Sequence, residues 1–262
     1  MAQTDALYRR IAAELRESIR TGSVAQGERL PTEQELGERY DVSRNTVRLA
    51  LGMLANEGMI TSTPGRGTFV RDRTMTTYHA SWAESRERMP SDQADAYRAE
   101  LERQNQTAEY RNFDMRIVSA TVDLAERLRV GEGDSLVSRG FLRVADGVPS
   151  SLQASYYAMD IATECGLLTP HDIPQGTIRT MADHGHVEVG YVDEITTRMP
   201  GPDEARTLAL DTGAPVLVYV RTTYTDTRPL RSTETIFAGD RNRIMYELGE
   251  LDAYHAEQEN GS

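Results

Sequence analysis

The chain has 262 residues and a net charge of −12, enough for two medium domains. Its single cysteine, Cys165, excludes an intramolecular disulfide and fits a reducing compartment. With no apolar leader core and no apolar run of membrane-spanning length, a cytoplasmic protein with no membrane partner is expected.

The charge is uneven: residues 1–73 sum to +1 and the remainder to −13. Nucleic-acid binding by the first part must therefore rest on where its cations stand. All 29 basic residues are Arg, the side chain suited to bidentate contact with phosphate and guanine. Codon usage in a GC-rich genome is the plainer source of that bias.

Leu7, Ile11, Leu15 and Ile19 recur every four residues and with Ala12 make one apolar helical face, stopped by Gly22. After Leu30-Pro31, Thr32 opens a capping box with Glu35, which predicts a second helix from Glu33 to about Tyr40 burying Leu36. Asp41-Val42 is a tight turn, and Ser43 caps a third helix from Arg44 to Glu57 burying Val47, Leu51 and Leu54. Residues 59–61 and 68–70 read as strands around the turn Pro64-Gly65-Arg66-Gly67.

Helix, turn, helix and hairpin in that order make a winged helix-turn-helix over residues 1–72. The N-terminal turn of a recognition helix meets base edges, and here it carries Ser43, Arg44, Asn45 and Thr46, with Arg48 following. Arg pairs bidentately with guanine and Asn with adenine. Arg66, between Gly65 and Gly67, suits a narrow minor groove. Thr32, Glu33 and Gln34 complete the candidate DNA-binding set. The plainer alternative is a small helical domain with a solvated charged face.

The segments Leu30–Leu36, Val42–Arg48 and Gly65–Val70 resemble the DNA-binding domain of the GntR family. The resemblance implies a homodimer on a palindromic operator of double-stranded DNA. Where that family often has Arg, this chain has Gln34, which removes one cation from the second helix.

Residues 73–110 are rich in Arg, Glu, Gln and Ser and read as a connector, with a helix capped by Ser91 and running to about Gln104. Tyr97 and Leu101 share a face of it, and Tyr78 and Trp82 are expected to pack against a neighbour. From residue 111 strands alternate with short helices. Phe113, Met115 and Ile117 alternate as one strand face. A pattern then occurs twice at an offset of 80: Leu128, Val130, Gly133, Leu136, Val137, Asp146, Pro149, then Leu208, Leu210, Gly213, Val216, Leu217, Asp226, Pro229. Asp146-Gly147 and Asp226-Thr227 are the hairpin turns. Two related hairpins with covering helices predict a pseudo-symmetric antiparallel sheet with room for a pocket.

Ala125–Gly133, Leu142–Pro149 and Gly239-Asp240-Arg241 resemble the UTRA effector-binding domain of the HutC subfamily, which shares a fold with chorismate lyase. The fold class is thus α+β: a winged helix-turn-helix joined to a mixed, largely antiparallel effector domain over residues 111–250, with a polar tail over 251–262. Carried over from amino-sugar-phosphate sensors of the subfamily, Arg143 matches the second of two ligand-binding Arg while Phe141 stands at the first. Ser155 and Tyr157 match a Ser-x-Tyr pair. Arg231 stands where Glu is expected and Phe237 where Tyr is expected, with Glu234 on the same late strand. Half the polar set is replaced, so the resemblance implies a small-molecule effector other than an amino-sugar phosphate, anionic or apolar. Ser155 and Tyr157 serve equally well as satisfied core groups.

His184-Gly185-His186 could ligate a metal, but reads more simply as a turn, and Cys165 in its apolar context reads as buried. With no phosphate loop and no nucleophile–base pair, neither cofactor nor catalysis is expected. A ligand-independent plasmid-type or architectural regulator and an enzyme fused to a DNA-binding domain are the competing readings.

Overall fold

The computed structural model describes residues 2–63, 65–71, 75–81 and 96–248. The chain divides into two compact units, Met1–Thr74 with Asp211–Ala214, and Met75–Leu210 with Pro215–Ser262.

In the first unit, α1 (Ala2–Arg20), α2 (Glu33–Tyr40) and α3 (Arg44–Asn56) precede the hairpin of β1 (Ile60–Thr63) and β2 (Gly67–Val70). The local signals act as the sequence implies. Thr32 and Glu35 form the reciprocal capping box of α2, and Ser43 caps α3 by accepting from the Thr46 amide. Asp41 takes a left-handed conformation, φ 50°, that ends α2. Ile11, Ala12, Leu15, Leu30, Leu36, Val47, Ala50, Leu51, Leu54, Ile60 and Val70 close one core. Backbone bonds join Leu30 to Thr68 and Val70 to Glu28. With an isolated antiparallel bridge between Arg29 and Phe69, they tie the segment before α2 to β2 of the wing.

The second unit is built on a six-stranded antiparallel sheet of order β4-β5-β6-β9-β8-β7. Its strands are β4 (Ala108–Ser119), β5 (Ser135–Ala145), β6 (Val148–Ala158), β7 (Gly190–Arg198), β8 (Val216–Tyr224) and β9 (Pro229–Ala238). Helix α5 (Val122–Leu128) joins β4 to β5, and α8 (Pro202–Thr207) joins β7 to β8. The repeat is therefore strand, helix, hairpin, twice. Its register repeats too: Leu136 pairs with Ala158 and Val216 with Ala238. Each hairpin carries its irregularity at the same place, after Arg143 and after Thr223. Left-handed residues recur at Arg129 and Ala209, and at Gly133 and Gly213. The turns differ. Asp146 and Gly147, φ 49° and 79°, make a two-residue turn with both residues left-handed. Asp226 and Thr227 lie in a four-residue loop closed by Thr225 and Arg228.

The two faces of this sheet differ in chemistry. One is aliphatic: Leu142, Val144, Val216, Val218 and Ile236 pack with Leu208, and Leu136 packs with Ala125 and Leu128 of α5. The other buries Arg143, Ser151, Ser155, Arg221, Thr223, Arg231, Thr233 and Thr235. Strand alternation separates the two sets.

The described part of the connector is not separate from the second unit. Strand β3 (Thr76–His79) pairs in parallel with β10 (Asn242–Met245), and α4 (Ala96–Arg103) buries Tyr97 and Leu101 against Ala145. Both belong to the second unit, so the unit boundary falls at residue 74, not 110. The cause is apolar burial in a segment whose composition is polar: Tyr78 packs with Phe237 and Tyr219. Two helices, α6 (Met159–Glu164) and α7 (Thr177–Asp183), cover Val137 and Tyr157. β4 is an outer strand, so Met115 is half-buried while Phe113 and Ile117 are exposed. The Ser91 cap, Trp82 and residues 251–262 lie outside the described residues.

Candidate functional sites

Each unit holds one candidate site. In the first, most α1 cations are already neutralised: Arg10 pairs with Glu14, Arg16 with Glu57 at 2.6 Å and Arg20 with Glu17 at 2.7 Å. Hydrogen bonds from Arg16 hold the Glu57 carboxyl below the usual carboxylate range. On α3, by contrast, Arg44 and Arg48 share a single carboxylate. Arg44 Nε lies 2.6 Å and Arg48 Nε 3.9 Å from the two oxygens of Glu33. Both guanidiniums and Asn45 are exposed. Arg44, Asn45 and Arg48 thus present an open, donor-rich surface on the N-terminal turns of α3, as a DNA-reading helix requires.

Thr46 is a correction to the candidate set. It is buried, and its hydroxyl lies 2.9 Å from Ser43 Oγ. Helical periodicity turns it inward beside Val47 and Ala50. Thr32 and Ser43 are exposed and act as caps, and Gln34 is exposed and donates to Glu38.

At the wing tip Arg66 is exposed between Gly65, φ 76°, and Gly67, φ 115°. A Cβ on Gly67 would lie 2.7 Å from Arg29 Nε. Arg29 is thus a wing cation that the sequence reading did not single out. Its signal is a bridge to Phe69, forty residues on, which local periodicity does not carry.

In the second unit, the register places Phe141, Arg143, Ser155 and Phe237 on the polar face of the sheet. Tyr157 and Arg231 follow by alternation. Glu234 does not join them. It is paired with Ala154 and Val220, on the opposite, aliphatic face, because it stands one residue from Thr233 and Thr235. Burial pushes the Glu234 carboxyl above its usual range, countered by Arg198.

Several carried-over residues are consumed by the fold. Ser155 Oγ lies 2.9 Å from Thr233 Oγ1, and Tyr157 donates to Thr177 at 3.1 Å. Phe237 packs against Tyr78 and Tyr219. Arg231 lies 3.0 Å from the carboxylate of Glu188, with both side chains nearly buried, so the charge reversal at that position is cancelled within the chain.

Arg143 is different. It is 8% exposed, and its guanidinium lies 4.5 Å from the ring centre of Tyr97, 5.6 Å from Phe141 and 5.8 Å from Tyr78. Nε and Nη1 are buried with no hydrogen-bond partner among the described residues. Directly across the strand pair, the fully buried Ser151 hydroxyl also has no partner among the described residues. The other half of the repeat shows the contrast. There Arg221, stacked 3.9 Å from the centre of Tyr191, makes two 2.7 Å bonds to Asp193. A buried guanidinium with unmet N–H groups is costly, and an anion is what it would bind. Ser151 was missed because a Ser in a strand is an ordinary residue until its neighbours are known.

His184 Nδ1 lies 2.8 Å from the Thr180 carbonyl and His186 Nε2 3.0 Å from Glu164, so the two rings engage separate partners. Cys165 is buried in the apolar cluster of Ile161 and Leu167, and that burial raises its thiol pKa.

Comparison with known proteins follows the same division. Residues 7–70 match "Bacterial regulatory proteins, gntR family" and residues 103–243 match "UTRA domain". The chain is 26% identical over 247 residues to the HTH-type transcriptional repressor NagR of Bacillus subtilis, covering 94% of this chain and 96% of that protein. It is 30% identical over 233 residues to the HTH-type transcriptional regulator Rv0792c of Mycobacterium tuberculosis, covering 84% and 77%. The crystal structure of PhnF from Mycobacterium smegmatis superposes with a TM-score of 0.56 at 22% identity, covering 91% of this chain and 99% of that one. NagR and Rv0792c are transcription regulators, not enzymes. No helix among the described residues is long and apolar enough to cross a membrane.

Proposed function

The chain belongs to the GntR family, as a DNA-binding transcriptional repressor with a UTRA effector-binding domain, and on that premise we propose that it works in the cytoplasm as an effector-controlled homodimer on a palindromic operator. One winged domain covers a half-site, so two-fold symmetry in the protein is matched by symmetry in the DNA. The open outer edge of β7, with Val192 and Ile195 exposed, supports self-association.

Arg143 carries the effector reading. An unpartnered, aromatic-walled cation in the second unit fits the negative group of a small anion, with Ser151 beside it. The ligand-independent alternative leaves that buried charge without a purpose.

The test combines selection of duplexes from a random pool, sedimentation of the full chain, and operator titrations with a panel of phosphate and carboxylate metabolites. A palindromic consensus, a species of twice 29.2 kDa and at least one anion that changes operator affinity are expected. A monomer at micromolar concentration, or no anion effect from any panel member, would overturn the corresponding part.

A further inference from the structure

Among the described residues, Glu33 is the one acidic side chain placed between the two exposed arginines of α3. It reaches them from a different helix, and the capping box of Thr32 and Glu35 fixes its place as the first residue of α2. With Arg44 80% and Arg48 69% exposed, these ion pairs contribute little to stability. Their geometry matters more. Glu33 engages Arg44 through Nε at 2.6 Å, which leaves the two Nη groups free among the described residues. That end-on edge of a guanidinium can still grip guanine O6 and N7. A carboxylate so placed also opposes the approach of any phosphate to the same two cations.

We infer that Glu33 is a specificity-determining positioning residue: it holds Arg44 for end-on base contact and suppresses sequence-independent backbone binding by Arg44 and Arg48. The inference rests on α3 being the DNA-reading helix. A phosphate approaching either arginine, even at the Nη groups of Arg44, is a like charge to the adjacent Glu33 carboxylate and is repelled by it. The uncharged guanine edge gripped by Nη1 and Nη2 meets no such repulsion between full charges. Glu33 therefore weakens binding to arbitrary DNA more than binding to the operator.

The test uses the full-length protein, the duplex that wild type enriches from a random pool, and a scrambled duplex of equal length. Glu33→Gln keeps size and removes charge. It should raise affinity for scrambled DNA about tenfold while changing operator affinity less, and steepen the salt dependence on scrambled DNA by roughly one released counterion, near 0.9 in slope. The loss of discrimination should vanish when Glu33→Gln is made in an Arg44→Ala, Arg48→Ala background. Glu33→Ala gives a second reading free of the amide, and unchanged thermal midpoints confirm that both variants are folded. Unchanged discrimination and salt slope, or an effect that persists in full without the two arginines, would overturn the inference. If wild type itself enriches no sequence, it is the DNA-reading assignment of α3 that fails.

Discussion

Ala154 and Glu234, eighty positions apart in the chain, face each other across β6 and β9 at the centre of the sheet. Eighty is also the offset of the internal repeat, so this pair lies on the pseudo-two-fold axis relating the two halves. Equivalent backbone positions there carry a methyl group and a carboxylate. The backbone has kept the symmetry, while the side chains have diverged according to what covers each half.

Glu234→Gln tests one consequence of that divergence. Burial raises the Glu234 pKa in the folded protein above its ordinary 4.5. The folded state therefore binds the proton more tightly than the unfolded state, and this group's contribution to stability falls as pH rises above 4.5. The variant should melt at a higher temperature than wild type at pH 7, and the difference should close as pH is lowered toward 4.5. A difference that does not vary with pH would mean the carboxylate is fully compensated by Arg198.

Gly67→Ala should damage the wing through two effects. Its φ of 115° strains any L side chain by about 1–3 kcal/mol, and its methyl would displace Arg29. Gly65→Ala, at φ 76° with open space around it, carries only backbone strain. Operator affinity measured by fluorescence anisotropy should fall more for Gly67→Ala than for Gly65→Ala. Equal losses would remove Arg29 from the DNA-binding surface.

Arg44→Ala and Arg48→Ala should each weaken operator binding by about 1–3 kcal/mol, the worth of a bidentate base contact. Binding to scrambled DNA should change less. Footprints of both variants indistinguishable from wild type would refute the placement of α3 in the groove.

Arg143→Met and Arg221→Met should diverge in chemical denaturation. Arg143 has no ionic partner among the described residues, so removing its charge should leave the protein as stable as wild type or more so in the absence of anion. Arg221→Met strands the nearly buried Asp193 carboxylate and should cost about 3–5 kcal/mol. Arg143→Met should also abolish any rise in melting temperature produced by a phosphate or carboxylate metabolite. A large loss of stability for Arg143→Met without anion would make Arg143 a structural residue.

The sequence by itself determined whatever is settled within a few residues. The Thr32–Glu35 box, the Ser43 cap and the left-handed pair Asp146-Gly147 depend on neighbouring groups, so their residue types announce them. The 80-residue repeat was legible because helix, turn and strand spacing is written along the chain. Tertiary structure alone decided which polar side chains remain available. Ser155 meets Thr233 and Arg231 meets Glu188 across long sequence separations, whereas Arg143 and Ser151 meet no such partner among the described residues. Arg29 joins the wing, and Tyr78 and Tyr97 enclose Arg143, only after distant segments pair. A hydrogen bond or ion pair spends the donor of a residue whose partner lies far along the chain, and pattern along the chain carries no record of that pairing.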